Sequence, residues 1–141
     1  MENKKLDLLF LIDDDQIYQF LTQRIIEETR LINKIKAFFN GKEALDFMNS
    51  IEGDLEQLPD IILLDLSMPI MDGWQFLEEF VQMKPFLGKK IVIYIVTSSN
   101  APSDIQRAKS ISDVSDFIIK PITKEGFIDM VKKIGSRLNE E

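Results

Sequence analysis

The sequence predicts an α/β fold, a doubly wound parallel sheet, and three observations predict it. Apolar runs of strand length alternate with segments whose apolar residues recur at helical spacing, the pattern of repeated βα units. The run at 61–64 is apolar throughout rather than alternating, as in a strand covered by helices on both faces. Four of the runs also end on a residue that carries chemistry: Asp13, Asp65, Thr97 and Lys120. About five βα units fill the 141 residues, which leaves no room for a second domain.

The first strand is Leu6 to Ile12, and three acids, Asp13, Asp14 and Asp15, follow it. Ile17, Phe20, Leu21 and Ile25 recur at the spacing of an amphipathic first helix. Ile35, Ala37 and Phe39 alternate with Lys34, Lys36 and Phe38, which suggests an edge strand with lysines at its rim. Asn40-Gly41 turns the chain into a helix carrying Ala44, Met48 and Ile51.

The polar connector "EGDLEQLPD" leads to the third strand, Asp60 to Asp65. Met68-Pro69 reads as a bend and Asp72-Gly73 as a turn. The helix after them should bury Trp74, Leu77, Phe80 and Val81, and Pro85 and Gly88 close it. "KIVIYIVTSS" is the most β-branched run in the chain and predicts a central strand. Pro102 and Asp104 suit the first turn of a fourth helix, whose apolar periodicity is the weakest of the set. "DFIIKP" makes the last strand, and Phe127, Met130, Val131, Ile134 and Leu138 give an amphipathic final helix.

Composition narrows the chemistry. The chain has no cysteine and no histidine, which excludes disulfides, thiol nucleophiles, zinc sites built on those residues and histidine general bases. A metal must therefore take oxygen ligands. A net charge of −7, with no visible basic patch, argues against a nucleic-acid partner. The early run "LDLLFLI" is short, contains Asp7 and runs into acids, so it resembles neither a signal peptide nor a membrane span. The expectation is a cytoplasmic protein with no membrane partner.

In open parallel sheets, ligands sit beyond the carboxyl ends of the strands. Taken singly, the residues there have ordinary explanations. Asp13 to Asp15 would cap a helix, Asp65 would be a solvated strand end, Thr97 a β-former and Lys120 a surface charge. Their joint arrival at one edge of one sheet is what needs a function. Clustered carboxylates repel unless a cation neutralises them, and a hard divalent ion such as Mg²⁺ fits an all-oxygen set.

"LIDDD", "LLDLSMPIMDG", "VTSS" and "FIIKP", in this order and spacing, resemble the receiver domain of two-component response regulators over nearly the whole chain. The resemblance implies a flavodoxin-like three-layer sandwich with five strands in the order 2-1-3-4-5, so that Asp13, Asp14 and Asp65 converge. It implies one receiver domain over residues 1–141, without an output domain. It also implies the function: a phosphoryl group passes from a histidine kinase or histidine phosphotransfer protein to Asp65 with Mg²⁺. Such a chain is a signalling switch rather than an enzyme with a separate substrate. It catalyses its own phosphorylation and dephosphorylation, and it acts on a downstream protein or relays the group. A homodimer is left open.

By the same resemblance, Asp14 is the direct Mg²⁺ ligand and Asp13 acts mainly through water. Asp65 and the backbone carbonyl of Ser67 complete the protein ligands. Thr97 and Lys120 would hold phosphoryl oxygens, Thr97 and Phe117 would form the switch, and the bond before Pro121 would be cis. Some positions depart from the common pattern. Phe117 stands where tyrosine is frequent, Asp113-Val114 where Gly-Ala is frequent, and Ser67 and Ser98-Ser99 are small and neutral.

Three rivals are weaker. Aspartyl-nucleophile phosphatases place a second acid two residues after the nucleophile, where this chain has Ser67. A flavodoxin-like FMN binder would have Asp13 to Asp15 facing the phosphate. A receiver-like module that ignores phosphorylation would not be expected to keep Asp14, Asp65, Thr97 and Lys120 together.

Overall fold

The computed structural model describes residues 6–51, 53–98 and 101–138, with side chains to residue 134. Its strands are β1 (Leu6–Ile12), β2 (Ile32–Phe38), β3 (Ile61–Leu64), β4 (Val92–Thr97) and β5 (Val114–Ile119). Its helices are α1 (Gln16–Thr29), α2 (Gly41–Ser50), α3 (Gly73–Met83), α4 (Pro102–Lys109) and α5 (Lys124–Leu138). The strands are all parallel, in the order β2-β1-β3-β4-β5, as expected. Ser99 and the side chain of Leu138 lie outside the described residues.

Successive strand residues point to opposite faces, and each face has its own core. Phe10, Ile12, Ile62, Leu64, Ile93 and Ile95 pack with Met48 of α2, Phe76 and Phe80 of α3 and Ala108 of α4. Leu9, Leu11, Leu63 and Val96 pack on the other side with Ile26 of α1 and Phe127, Val131 and Ile134 of α5. Cover on both faces explains why β3 and β4 are apolar without alternation.

The register brings the strand ends together. Ile12 pairs with Leu64 across β1 and β3, and the Asp65 N–H continues that ladder to the Ile12 carbonyl at 3.0 Å. Across β4 and β5, Thr97 pairs with Ile119 and its carbonyl accepts from the Lys120 N–H at 2.8 Å. Asp13, Asp65, Thr97 and Lys120 therefore leave one edge of the sheet side by side.

Several expectations need correction. In α1, Ile17, Phe20 and Leu21 are exposed and Ile25 is only half-buried, while Gln19, Thr22 and Ile26 face inward. Gln19 can be buried because its Nε2 donates to the carbonyls of Phe38 at 2.7 Å and Asp13 at 2.8 Å, with Leu11 at 3.4 Å. In β2, Phe38 is the buried ring and Phe39 is exposed. Lys36 is no plain rim lysine, since its ammonium lies over the Phe47 ring at 4.5 Å.

In α3, Phe76 joins Leu77 and Phe80 in the core, Trp74 is half-buried and Val81 is exposed. Asp72-Gly73 is a helix start rather than a free-standing turn, because Asp72 caps α3 in a reciprocal pair with Gln75. A Cβ on Gly73 would come within 2.5 Å of the Asp65 carbonyl oxygen, so only glycine lets α3 begin against the end of β3. At the far end of the sheet, Asp113 pairs with Lys84, and α4 has already ended at Lys109.

Candidate functional site

Asp13 is 2% exposed and Asp65 5% exposed, whereas Asp14 beside them is open to solvent. One carboxylate oxygen from each of the three lies within 4.8 Å of the others. The loop that carries two of them is pinned locally: the Asp15 N–H donates to Asp13 Oδ1 at 2.9 Å, and Asp15 caps α1 by accepting from the Tyr18 N–H at 3.0 Å. The acidic triplet thus splits its work. Asp15 is a helix cap, and Asp13 and Asp14 face Asp65.

Lys120 is the cation of the cluster. Its Nζ lies 2.7 Å from Asp13 Oδ2 and 3.5 Å from Asp65 Oδ2. Asp65 also accepts from the Leu66 N–H at 2.9 Å and from the Thr97 hydroxyl. Burial pushes the Asp65 carboxyl above its ordinary pKa, and the charge of Asp13 pushes it further. Lys120 and the two hydrogen bonds pull the other way without cancelling that. Burial would lower the Lys120 ammonium, but the hydrogen bond to Asp13 and the charges of Asp65 and Asp13 reverse this and hold it above its usual value. The local charges are two buried acids, one exposed acid and one lysine, so the cluster is short of positive charge.

The family described as response regulator receiver domain matches residues 9–132. The chain belongs to that family. A two-component response regulator of Cytophaga hutchinsonii is similar in structure, with a TM-score of 0.86 and 28% identity over 94% of this chain and 99% of that one. The probable methanogenesis regulatory protein FilR2 of Methanothrix harundinacea is 29% identical over 127 residues, 90% of this chain and 80% of that protein. The two-component response regulator ORR1 of Oryza sativa subsp. japonica is 28% identical over 81% of this chain, which spans 49% of it.

The other expected receiver positions fall near the same edge. Ser67 is exposed in the loop after β3, and the Lys120–Pro121 bond is cis. Phe117 pairs with Ile95 and is half-buried against the core beneath α3 and α4. Sequence reasoning missed two residues of this receiver. Gln19, a buried polar side chain, ties α1 to the ends of β1 and β2. Tyr18 lies against Lys120. Nothing in hydropathy marks either one; the signal for Tyr18 was only its place one helical turn past the acids.

The loop after Asp65 also stores strain. Ile70 has φ of 69°, the left-handed region, and its side chain is 76% exposed. A β-branched residue pays about 1–2 kcal/mol in that conformation and recovers almost none of it by burial here. Ile70→Asn should therefore raise stability by about 1 kcal/mol in urea unfolding, since asparagine tolerates the left-handed region. A loss of stability would mean that the isoleucine side chain holds the loop.

Among the described residues, no helix is long and apolar enough to cross a membrane.

Proposed function

We propose that this receiver accepts a phosphoryl group on Asp65 from a phosphohistidine of a histidine kinase or phosphotransfer protein, and catalyses both that transfer and the later hydrolysis of the aspartyl phosphate. The observation that carries this is the meeting of Asp65 with Asp13, Asp14, Thr97 and Lys120 at one sheet edge. An Asp65 carboxylate oxygen attacks phosphorus as the phosphorus–nitrogen bond breaks. The imidazole nitrogen keeps that electron pair and remains on the donor. Water later attacks the same phosphorus, releasing inorganic phosphate and restoring the carboxylate.

Phosphoryl transfer requires alignment and charge neutralisation more than covalent help. Lys120 Nζ is already within 3.5 Å of Asp65, and the Thr97 hydroxyl already donates to it, so each has a phosphoryl oxygen within reach. The oxygen-only donor set, with its uncompensated negative charge, fits Mg²⁺. Asp13, Asp14, Asp65 and the Ser67 backbone carbonyl would hold the ion, which when bound supplies the remaining positive charge. Asp14, exposed, is the natural point of entry.

Apolar side chains of α1 and of the loop after β3 stay exposed, and they form the proposed rim for docking. Ile17 is 74% exposed in the first turn of α1, Phe20 and Leu21 follow it, and Ile70 stands on the loop after β3. A donor protein must rest on this rim to bring its histidine to Asp65. The signal then leaves by a different face. Phosphoryl charge draws Thr97 closer, and the half-buried Phe117 ring, with area left to lose, turns inward and remodels the surface of α4, β5 and α5. The downstream partner is a protein, and the setting is the cytoplasm.

Incubation with a small-molecule phosphodonor and Mg²⁺ should label the wild type once per chain. Asp65→Asn should remove the label, and chelation should prevent it. Equal labelling of Asp65→Asn would refute the acceptor.

A further inference from the structure

The Lys120 ammonium has a third neighbour besides its two acids. Its Nζ lies 4.2 Å from the centroid of the Tyr18 ring, while it sits 2.7 Å from Asp13 Oδ2 and 3.5 Å from Asp65 Oδ2. Of these three neighbours only the ring is neutral. Tyr18 is held in place by the acidic loop itself, since its N–H donates to Asp15 Oδ1 at 3.0 Å and the Asp15 N–H donates to Asp13 Oδ1 at 2.9 Å. The backbone that carries the ring is thus tied to the loop that carries the carboxylate, while the lysine arrives from the end of β5.

The Tyr18 hydroxyl does not explain this placement. It is enclosed, and among the described residues it has no hydrogen-bond partner. A buried hydroxyl without a partner costs folding free energy. What the residue contributes at Lys120 is the face of its ring.

We propose that Tyr18 is a positioning residue for phosphoryl transfer, its ring holding the Lys120 ammonium over the site while that ammonium passes from Asp13 to the phosphoryl oxygens on Asp65. This rests on the phosphoacceptor reading above. In the unphosphorylated protein the shorter contact of Lys120 is to Asp13, so it must loosen that contact to serve the phosphoryl group. A third carboxylate would compete for the ammonium. A ring face attracts a cation without a fixed direction and lets it slide between partners. Without the ring, the flexible four-carbon stem of Lys120 can swing to solvent.

The test compares wild type, Tyr18→Leu and Tyr18→Phe, with initial labelling rates from a small-molecule phosphodonor at saturating Mg²⁺ and with Mg²⁺ affinity measured separately. Tyr18→Leu should label about five- to thirty-fold more slowly, the factor expected for a desolvated cation–π contact. Its Mg²⁺ affinity should stay within about twofold of wild type, because the carboxylates are untouched. Tyr18→Phe keeps the ring, so it should restore the labelling rate and melt above the wild type.

A Tyr18→Leu protein that labels at the wild-type rate would overturn the proposal. So would a Tyr18→Phe protein as slow as Tyr18→Leu, since the hydroxyl would then be the acting group. A parallel fall in Mg²⁺ affinity would mean that the site has loosened as a whole, and would also overturn it. Tyr18→Met repeats the measurement if leucine impairs folding. If the wild type itself fails to label while still binding Mg²⁺, the phosphoacceptor reading falls and this one with it.

Discussion

Lys120→Met should destabilise the metal-free protein by about 3 kcal/mol near neutral pH, the low end of what stranding a buried charge costs. Methionine keeps most of the apolar stem, so the loss isolates the ammonium. That ammonium sits 2.7 Å from Asp13 and 3.5 Å from Asp65, both buried. The open side of the cluster at Asp14 keeps the cost from being larger. The penalty should depend on pH with a definite sign. Asp65 is already raised in the folded state by burial and by Asp13, and losing Lys120 raises it further. A carboxyl raised on folding binds its proton more tightly in the native state, so stability falls as pH climbs from the ordinary carboxylate range through the raised value. Urea unfolding at acid and neutral pH checks this. The variant should approach wild-type stability in acid, and a penalty equal at both would mark lost packing rather than lost charge.

Mg²⁺ should act in the opposite direction. The folded chain gathers three carboxylates within 4.8 Å and the unfolded chain does not, so a hundredfold excess over Kd should stabilise by about 2.7 kcal/mol. Asp14→Ala should abolish that gain. Without metal, Asp65→Asn should be more stable than wild type near neutral pH by about 1–3 kcal/mol, as expected for removing a buried, incompletely balanced charge. That advantage should fade in acid, where Asp65 is protonated in the folded and unfolded states alike. A melting curve indifferent to Mg²⁺ would count against the site.

How much of this was legible in the sequence differs between sheet and helices. The strands and their chemistry-bearing ends were readable because burial on both faces leaves only apolar residues between polar stops, as in Ile61–Leu64 followed by Asp65. The helix faces were less so. Hydropathy points to Ile17, Phe20 and Leu21 as the core stripe of α1, yet Gln19, Thr22 and Ile26 are buried there. The inversion has a cause that periodicity cannot register: Gln19 satisfies carbonyls at the ends of β1 and β2, and the apolar residues are left exposed on the outer side of α1. Phe38 and Phe39 show the same limit at smaller scale, since two adjacent aromatics give no parity signal and only the register with β1 buries Phe38. The carboxylate cluster could be inferred from the family pattern. The Tyr18–Lys120 contact could not, because it joins residues about a hundred positions apart through a ring with no charge of its own.

The most direct test of the central claim is to locate the modified atom. Borohydride reduces an acyl phosphate to an alcohol, so an aspartyl phosphate becomes homoserine and is fixed in the chain. After labelling in Mg²⁺ and reduction, peptide sequencing by mass spectrometry should find homoserine at position 65, with Asp13, Asp14 and Ser67 unchanged. Homoserine at 13 or 14, phosphate retained on Ser67, or an unmodified residue 65 in labelled protein would contradict the account.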